Sequence, residues 1–392
     1  DQKGISIMSS KFQLERHHYP VLERYAYLDT STTGAIPQYV CNAICTYLQE
    51  RTDFGMDIDY YHEQWEFADR VREEIAQMIG AESGKTIAFG QNSSSLFNIF
   101  CNGLKLSKGD NVVIYETAFP AMTYQWLNLQ ETLGLEVRVA KVQNGRITPE
   151  NLFELVDERT KAVTVCHVDS GTGYRHDLKK IGSWCRSHHI PFGVDATQSC
   201  GAMKINVQEM NVDFLTTSVY KWLQGIQGLG FAYISPSFMK TLSQTEMGWA
   251  NVSDRINGEP FDLQISETAC RFENGGLPAP GLYGLTEVLH TYMRLGADDI
   301  QEYILSLGDY LRQKIRDIPE VSEAFHFERE HSSNLIMLEV PERLELTGAK
   351  LRKAGIRVKV NGKNKIRVGI HYYNNEDDID KLIDYLKACL EK

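Results

Sequence analysis

The sequence predicts an α/β fold, with a mostly parallel sheet in a large domain and a smaller α+β domain after it, and three observations predict it. Runs that are apolar almost throughout, such as NVVIY at 111–115, AVTVCHV at 162–168 and FLTTS at 214–218, suit strands buried on both faces. Stretches with apolar residues every three to four positions separate them, the βαβ alternation that covers each side of a parallel sheet with helices. After about residue 260 the pattern changes to a long helical stretch and then to alternating strands.

Taken in order, the first helix is EQWEFADRVREEIAQMI, 63–79, which stops at Gly80. Strands are expected at 86–89, 111–115, 162–168, 192–195, 214–218 and 230–234, and helices at 94–104, 121–133, 149–155 and 178–188. These belong to the large domain, 8–260. The smaller domain, 261–392, opens on the turn ENGGLPAPG, runs as one helical pattern over 282–317 and adds antiparallel strands at 334–340, 356–360 and 366–370. A helix over 377–390 closes the chain; Asn375 is its N-cap, and Glu376, Asp377 and Asp378 in the first turn suit the helix dipole. Residues 1–7, ahead of Met8, read as an expression remnant and carry no weight in the fold.

Composition narrows the function. The 392 residues are 42% hydrophobic and 24% charged, as in an ordinary globular protein. With 41 Lys+Arg against 52 Asp+Glu the net charge is −11, which argues against the clustered basic face of a nucleic-acid binder. No run approaches the roughly 18 apolar residues of a membrane helix. The eight cysteines include no C-x-x-C and are expected as reduced thiols of a cytoplasmic protein. His188 and His189 end a helix with no third ligand spaced near them, so no metal site is expected.

In open α/β sheets ligands gather past the carboxyl ends of the strands, and four such ends are chemically loaded here. FGV is followed by Asp195-Ala196-Thr197-Gln198, FLTTS by Val219-Tyr220-Lys221, NVVIYE by Phe119, and TIAF by Ser93-Ser94-Ser95 at a helix start. An acid, an amine, an aromatic plate and hydroxyls at a helix N-terminus are what a phosphorylated, cationic heteroaromatic aldehyde needs, which points to pyridoxal 5'-phosphate. Lys221 would condense with the aldehyde and later move the Cα proton, and Asp195 would keep the ring nitrogen protonated. Gln198 would donate to the phenolic oxygen and Phe119 would stack on the ring. Ser93, Ser94 and Ser95, with Ser218 and Tyr220, would cup the phosphate. Gly225 to Gly230 has the wrong spacing for a dinucleotide or Walker loop.

The stretch VDATQSCGAMKINVQEMNVDFLTTSVYKWLQGIQGLGFAYIS closely resembles the class V aminotransferase family of fold-type I pyridoxal phosphate enzymes, which includes cysteine desulfurases, cystine lyases, isopenicillin N epimerases and kynureninases. The likeness runs over most of the chain. Through YLDTSTTGAIP it implies that Thr33 and Gly34 lie near substrate, with Ser170 on the loop after strand 162–168. RFENGGLPAPGLYGL resembles the segment that reaches the partner subunit's phosphate, which implies a homodimer with a shared active site; Gly276 stands where the family has Thr. KIRVGIHYYNNEDDID resembles the closing motif whose Arg, here Arg367, holds the substrate carboxylate by a two-pronged hydrogen bond. His371, four residues on, is a further candidate for substrate contact.

Departures from the family shape the reaction. Desulfurases carry a nucleophilic Cys shortly before that Arg, and residues 345–366 contain none. The ring-stacking residue is Phe119 where desulfurases have His. The resemblance therefore implies an enzyme that takes a small amino acid through β-elimination of the C–S lyase type, ahead of transamination and epimerisation, and makes a non-enzymatic cofactor sensor the remote alternative. Loops near Tyr60, Tyr61, Trp65 and Trp249 are expected to form part of a pocket wall.

Overall fold

A computed structural model describes residues 10–255 and 261–391, so the expectations for residues 1–7 and for domain limits at 8 and 260 lie outside the described residues. The large sheet has seven strands: β2 Ile87–Gly90, β3 Asn111–Tyr115, β4 Glu136–Ala140, β5 Thr160–Cys166, β6 Phe192–Asp195, β7 Phe214–Ser218 and β8 Gly230–Ile234. Their spatial order is β2-β8-β7-β6-β5-β3-β4, and β8 alone runs against the others. Every residue of β3, β6, β7 and β8 is buried, as expected for strands covered on both faces. Four strands, β3, β6, β7 and β8, coincide with the apolar runs of the sequence.

Three differences have physical causes. The edge strand β4, EVRVA, is half exposed and carries Arg138 between Glu136 and Asp157, so it lacks the apolar run that marks its neighbours. β5 begins and ends two residues earlier than expected. Val168 instead pairs with Arg175 across a loop organised by Asp169, whose carboxylate accepts from Gly171 N, Thr172 N and Thr117 Oγ1. The single helical pattern 282–317 is two helices, Ala279–Leu295 and Ala297–Ile315, because Gly296 adopts φ 84°, where a right-handed helix cannot continue.

Near the carboxyl end, β9 Ser322–Glu323, β10 Leu335–Glu339, β12 Lys359–Asn361 and β13 Lys365–Gly369 form an antiparallel sheet. The expected strand 356–360 divides. β11 Ile356–Arg357 pairs in parallel with β1 Ala26–Tyr27, and only the rest joins β13. The N-terminal segment thus threads beside the second sheet, with Gly369 N donating to Leu28 O at 2.8 Å. Asn375 caps the last helix, Glu376–Leu390, accepting from Asp378 N as the sequence foretold.

Candidate active site

A cavity of about 630 Å³ opens past the carboxyl ends of β5, β6 and β7 and the N-terminus of helix Ser93–Gly103. Asp195, Gln198, Ser218, Tyr220, Lys221, Ser93, Ser94, Phe119 and Ser170 all line it, so nine of the residues singled out in the sequence meet in one space. Adjacent parallel strands cause this. β6 and β7 run in register with Asp195 opposite Thr216, which sets the acid and the turn after Ser218 side by side.

Lys221 is 7% exposed, and among the described residues its Nζ has no hydrogen bond or ion pair. Burial pulls its pKa from 10.5 to about 8, against the pull of Asp195 and aided by Arg367. The amine lies 5.4 Å from the Phe119 ring centre, and Phe119 is 44% exposed at the cavity rim. Asp195, 4% exposed, is raised by burial; the Thr197 N–H at 2.8 Å and the charge of Lys221 hold it back.

At the other end, Ser218 Oγ accepts from Ser93 N at 2.9 Å and joins β7 to the start of the helix. Ser94 keeps an uncommitted N–H at the positive end of the helix dipole. Ser95 does not reach the cavity. Its hydroxyl accepts from Asn92 N at 3.3 Å in a capping box and donates to Asn92 O at 2.9 Å, and it lines an adjoining cavity of about 530 Å³ together with Gly276. Gln91 and Gly228 border both spaces.

Arg367 is 8% exposed and, among the described residues, forms no ion pair with a carboxylate; it donates to Ser170 O at 3.1 Å and Thr32 Oγ1 at 3.0 Å, while its Nε–H has no acceptor there. Burial opposes its charge and Asp29 offsets this in part. A buried guanidinium without a carboxylate is a site for an anion. Thr32, rather than Thr33, supplies the hydroxyl beside it. Gly34 packs against the lysine turn: its N–H donates to Tyr220 O at 2.9 Å, and a Cβ there would fall 2.0 Å from Lys221 O. No side chain fits.

His371 stands behind the cavity, not in it. Its Nε2 faces Trp222 O at 2.9 Å and its Nδ1 accepts from Tyr372 N at 2.8 Å. Sequence reasoning passed over Thr197, whose Oγ1 accepts from Ser218 N, and Cys166 at the cavity wall. Thr197 was legible as the hydroxyl inside VDATQ; Cys166 looked like one more apolar core thiol. Its thiol is pushed far above the usual range by burial, with Asp195 adding to the effect. All eight cysteines are free thiols. Tyr61, Trp65 and Trp249 cluster with ring centres about 6 Å apart, and Trp249 lies beside Gly275 rather than in the lysine cavity.

The family described as "Aminotransferase class-V" matches residues 26–382. A probable cysteine desulfurase of Methanothermobacter thermautotrophicus is 27% identical over 95% of this chain and 96% of its own length. A solved complex between the cystine C–S lyase C-DES and its reaction product cysteine persulfide superposes with TM-score 0.87 at 22% identity, over 94% of this chain and 98% of the other. The apo cysteine desulfurase of Thermococcus onnurineus NA1 gives 0.84 at 22%, over 95% and 97%. The fold is therefore that of fold-type I pyridoxal phosphate enzymes.

Proposed function

Because the chain belongs to the class V aminotransferase family, we propose that it is a pyridoxal 5'-phosphate enzyme that eliminates a sulfur-bearing β-substituent from a small amino acid of the cysteine or cystine type. The observation that carries this reading is Lys221, a buried amine without a hydrogen bond or ion pair among the described residues, shifted to about 8 and sharing a cavity of cofactor size with a buried acid.

The residues fit the cofactor. Asp195 would hold the ring nitrogen, Gln198 the phenolic oxygen, Phe119 one ring face, and Ser93, Ser94, Ser218 and Tyr220 the phosphate. Bound there, pyridoxal phosphate supplies the electron sink that makes the substrate Cα–H acidic. Lys221, whose proton burial makes easier to lose, takes the proton from Cα and returns one to the product. Arg367 holds the α-carboxylate by its fork, and the Ser170 carbonyl and Thr32 hydroxyl aim that fork. Thr33 and Gly34 close the substrate side through the backbone bond from Gly34 to Tyr220. Burial of Lys221, Asp195 and Arg367 keeps water from competing with these contacts.

Elimination without a protein-bound persulfide is favoured by the hairpin of β12 and β13, Lys359 to Gly369, which carries no cysteine. Cys166 reaches the cavity, but its raised pKa keeps it a thiol rather than a nucleophile. Sulfur thus leaves with the substituent. The same reading makes the enzyme a cytoplasmic homodimer in which Gly276 offers its N–H to the partner's phosphate site. Exposed Phe54, Ile58 and Trp249 support it as apolar surface awaiting cover. No helix among the described residues is long and apolar enough to cross a membrane.

The test is product analysis of the protein loaded with pyridoxal phosphate and supplied with cysteine, cystine and their S-substituted derivatives. Pyruvate and ammonia are expected in equal amounts with the leaving group, which is sulfide from cysteine, cysteine persulfide from cystine and the corresponding thiol from an S-alkyl derivative. A 2-oxo acid that keeps the β-substituent, formed only with an amino acceptor, would convert the reading to transamination.

A further inference from the structure

The amide of Gln198 has both ends fixed by partners that can play one role only. Ser31 O is a carbonyl and accepts from Nε2 at 3.0 Å; Trp222 Nε1 is an indole N–H and donates to Oε1 at 2.9 Å. The polarity of the amide therefore follows from chemistry, and one N–H of Nε2 stays uncommitted on a residue that lines the cavity. Trp222 is held in turn. It is buried, its ring stacks on His371 with centres 5.5 Å apart and planes at 13°, and its carbonyl meets His371 Nε2 at 2.9 Å. His371 Nδ1 accepts from Tyr372 N, so Nε2 carries the ring proton and donates to Trp222. Burial keeps this ring neutral, with its pKa lowered to about 3. Neither Trp222 nor His371 lines the cavity, and no step above uses them.

We propose that Trp222, braced by His371, is a positioning residue that keeps Gln198 turned N–H first toward the cavity, where it donates to the phenolic oxygen of the cofactor. This rests on the pyridoxal phosphate reading above. Without the indole N–H, Oε1 is left buried with no donor, and the amide loses one of the two contacts that oppose its rotation. A hydrogen bond donated to a phenolate draws electron density out of the ring. It thereby lowers the proton affinity of the nitrogen conjugated with that oxygen, a property a merely structural role would not move.

The experiment is the pH titration of the visible band of the cofactor-loaded protein, carried out for wild type, Gln198→Leu, Trp222→Phe and the double variant. Each single change is expected to raise the midpoint by about one pH unit. The double variant should go no further than Gln198→Leu, since both remove the same donation. The other groups facing the band, Asp195, Cys166, Tyr220 and Lys221, with Arg367 beyond Ser170, are common to all four proteins. An unmoved midpoint in Trp222→Phe, or additive shifts in the double variant, would overturn the proposal. Should Trp222→Phe fail to fold, benzothienylalanine at position 222 keeps the indole shape without the N–H and is read the same way. A wild-type protein that takes up no pyridoxal phosphate would overturn the cofactor reading and this proposal with it, an outcome distinct from a loaded protein whose midpoint stays still.

Discussion

The lysine cavity is built from neighbouring strands of one buried sheet, whereas the arginine site beyond Ser170 is assembled from segments far apart in sequence. Asp195 and the turn carrying Lys221 follow β6 and β7, which pair in register. Arg367 instead depends on Thr32, 335 positions away, and on Ser170, 197 positions away. Backbone ladders fix the first; at the second, β13 holds the Arg367 backbone between β10 and β12, while side-chain contacts and one threaded segment aim its guanidinium. The difference teaches that the lysine cavity is set by the sheet, while the proposed carboxylate site rests on the seam among residues 28–34, the lysine turn and β13. The seam has its own internal bonds, Gly34 N to Tyr220 O and Gly369 N to Leu28 O.

The sharpest way to break the comparison is at the lysine. Lys221→Ala should lower kcat by about 10³-fold with the fold kept, because proton transfer is lost. Steady-state kinetics with a thermal melt checks both halves.

The same lysine should announce itself in the cofactor-free protein. Its pKa is lowered on folding, so the folded chain binds fewer protons than the unfolded chain between about 8 and 10.5, and stability rises with pH across that window. Relative to Lys221→Met, wild type should gain up to about 3 kcal/mol between those limits. Urea unfolding of both proteins at several pH values measures it, and parallel curves would contradict the buried, uncommitted amine.

At the arginine site, Arg367→Leu should cost about 10²-fold in kcat/KM by loss of a charge-assisted fork to the carboxylate. Arg367→Lys should recover little, since an ammonium cannot make the bidentate contact. Cofactor affinity should be unchanged in both, which separates the arginine site from the lysine cavity. The seam itself is probed by Gly34→Ala. A Cβ 2.0 Å from Lys221 O forces the two segments apart, with an expected loss of about 2 kcal/mol of stability and a larger fall in kcat/KM than in kcat.

The same contrast explains what the sequence made legible. Strands β3, β6, β7 and β8 are buried on both faces, so each reads as an apolar run with its chemistry at the carboxyl end, and Asp195, Ser218 and Lys221 follow directly. β4 escaped because an edge strand is kept soluble by Arg138 and Glu136, which erase the apolar signal. The helix Gln38–Phe54 escaped because most of one side faces outward, with Leu48 and Phe54 exposed. Ser95 was read as a phosphate ligand because a serine run looks alike at every position. Which hydroxyl the capping box consumes depends on backbone geometry that spacing does not encode. Arg367 was found through resemblance alone; nothing local in KIRVG marks its side chain as buried without a carboxylate. The net charge of −11 likewise describes the whole surface and conceals the buried cations Lys221, in the cavity wall, and Arg367, beyond Ser170.

The central claim, that Lys221 is the amine on which the cofactor is held, is tested most directly by borohydride reduction of the protein loaded with pyridoxal phosphate, followed by peptide mass mapping. The account predicts one pyridoxyl group per chain, on the peptide that carries Lys221, and none in Lys221→Ala. A label spread over surface lysines, or an unlabelled Lys221 in a protein that nevertheless binds the cofactor, would contradict it.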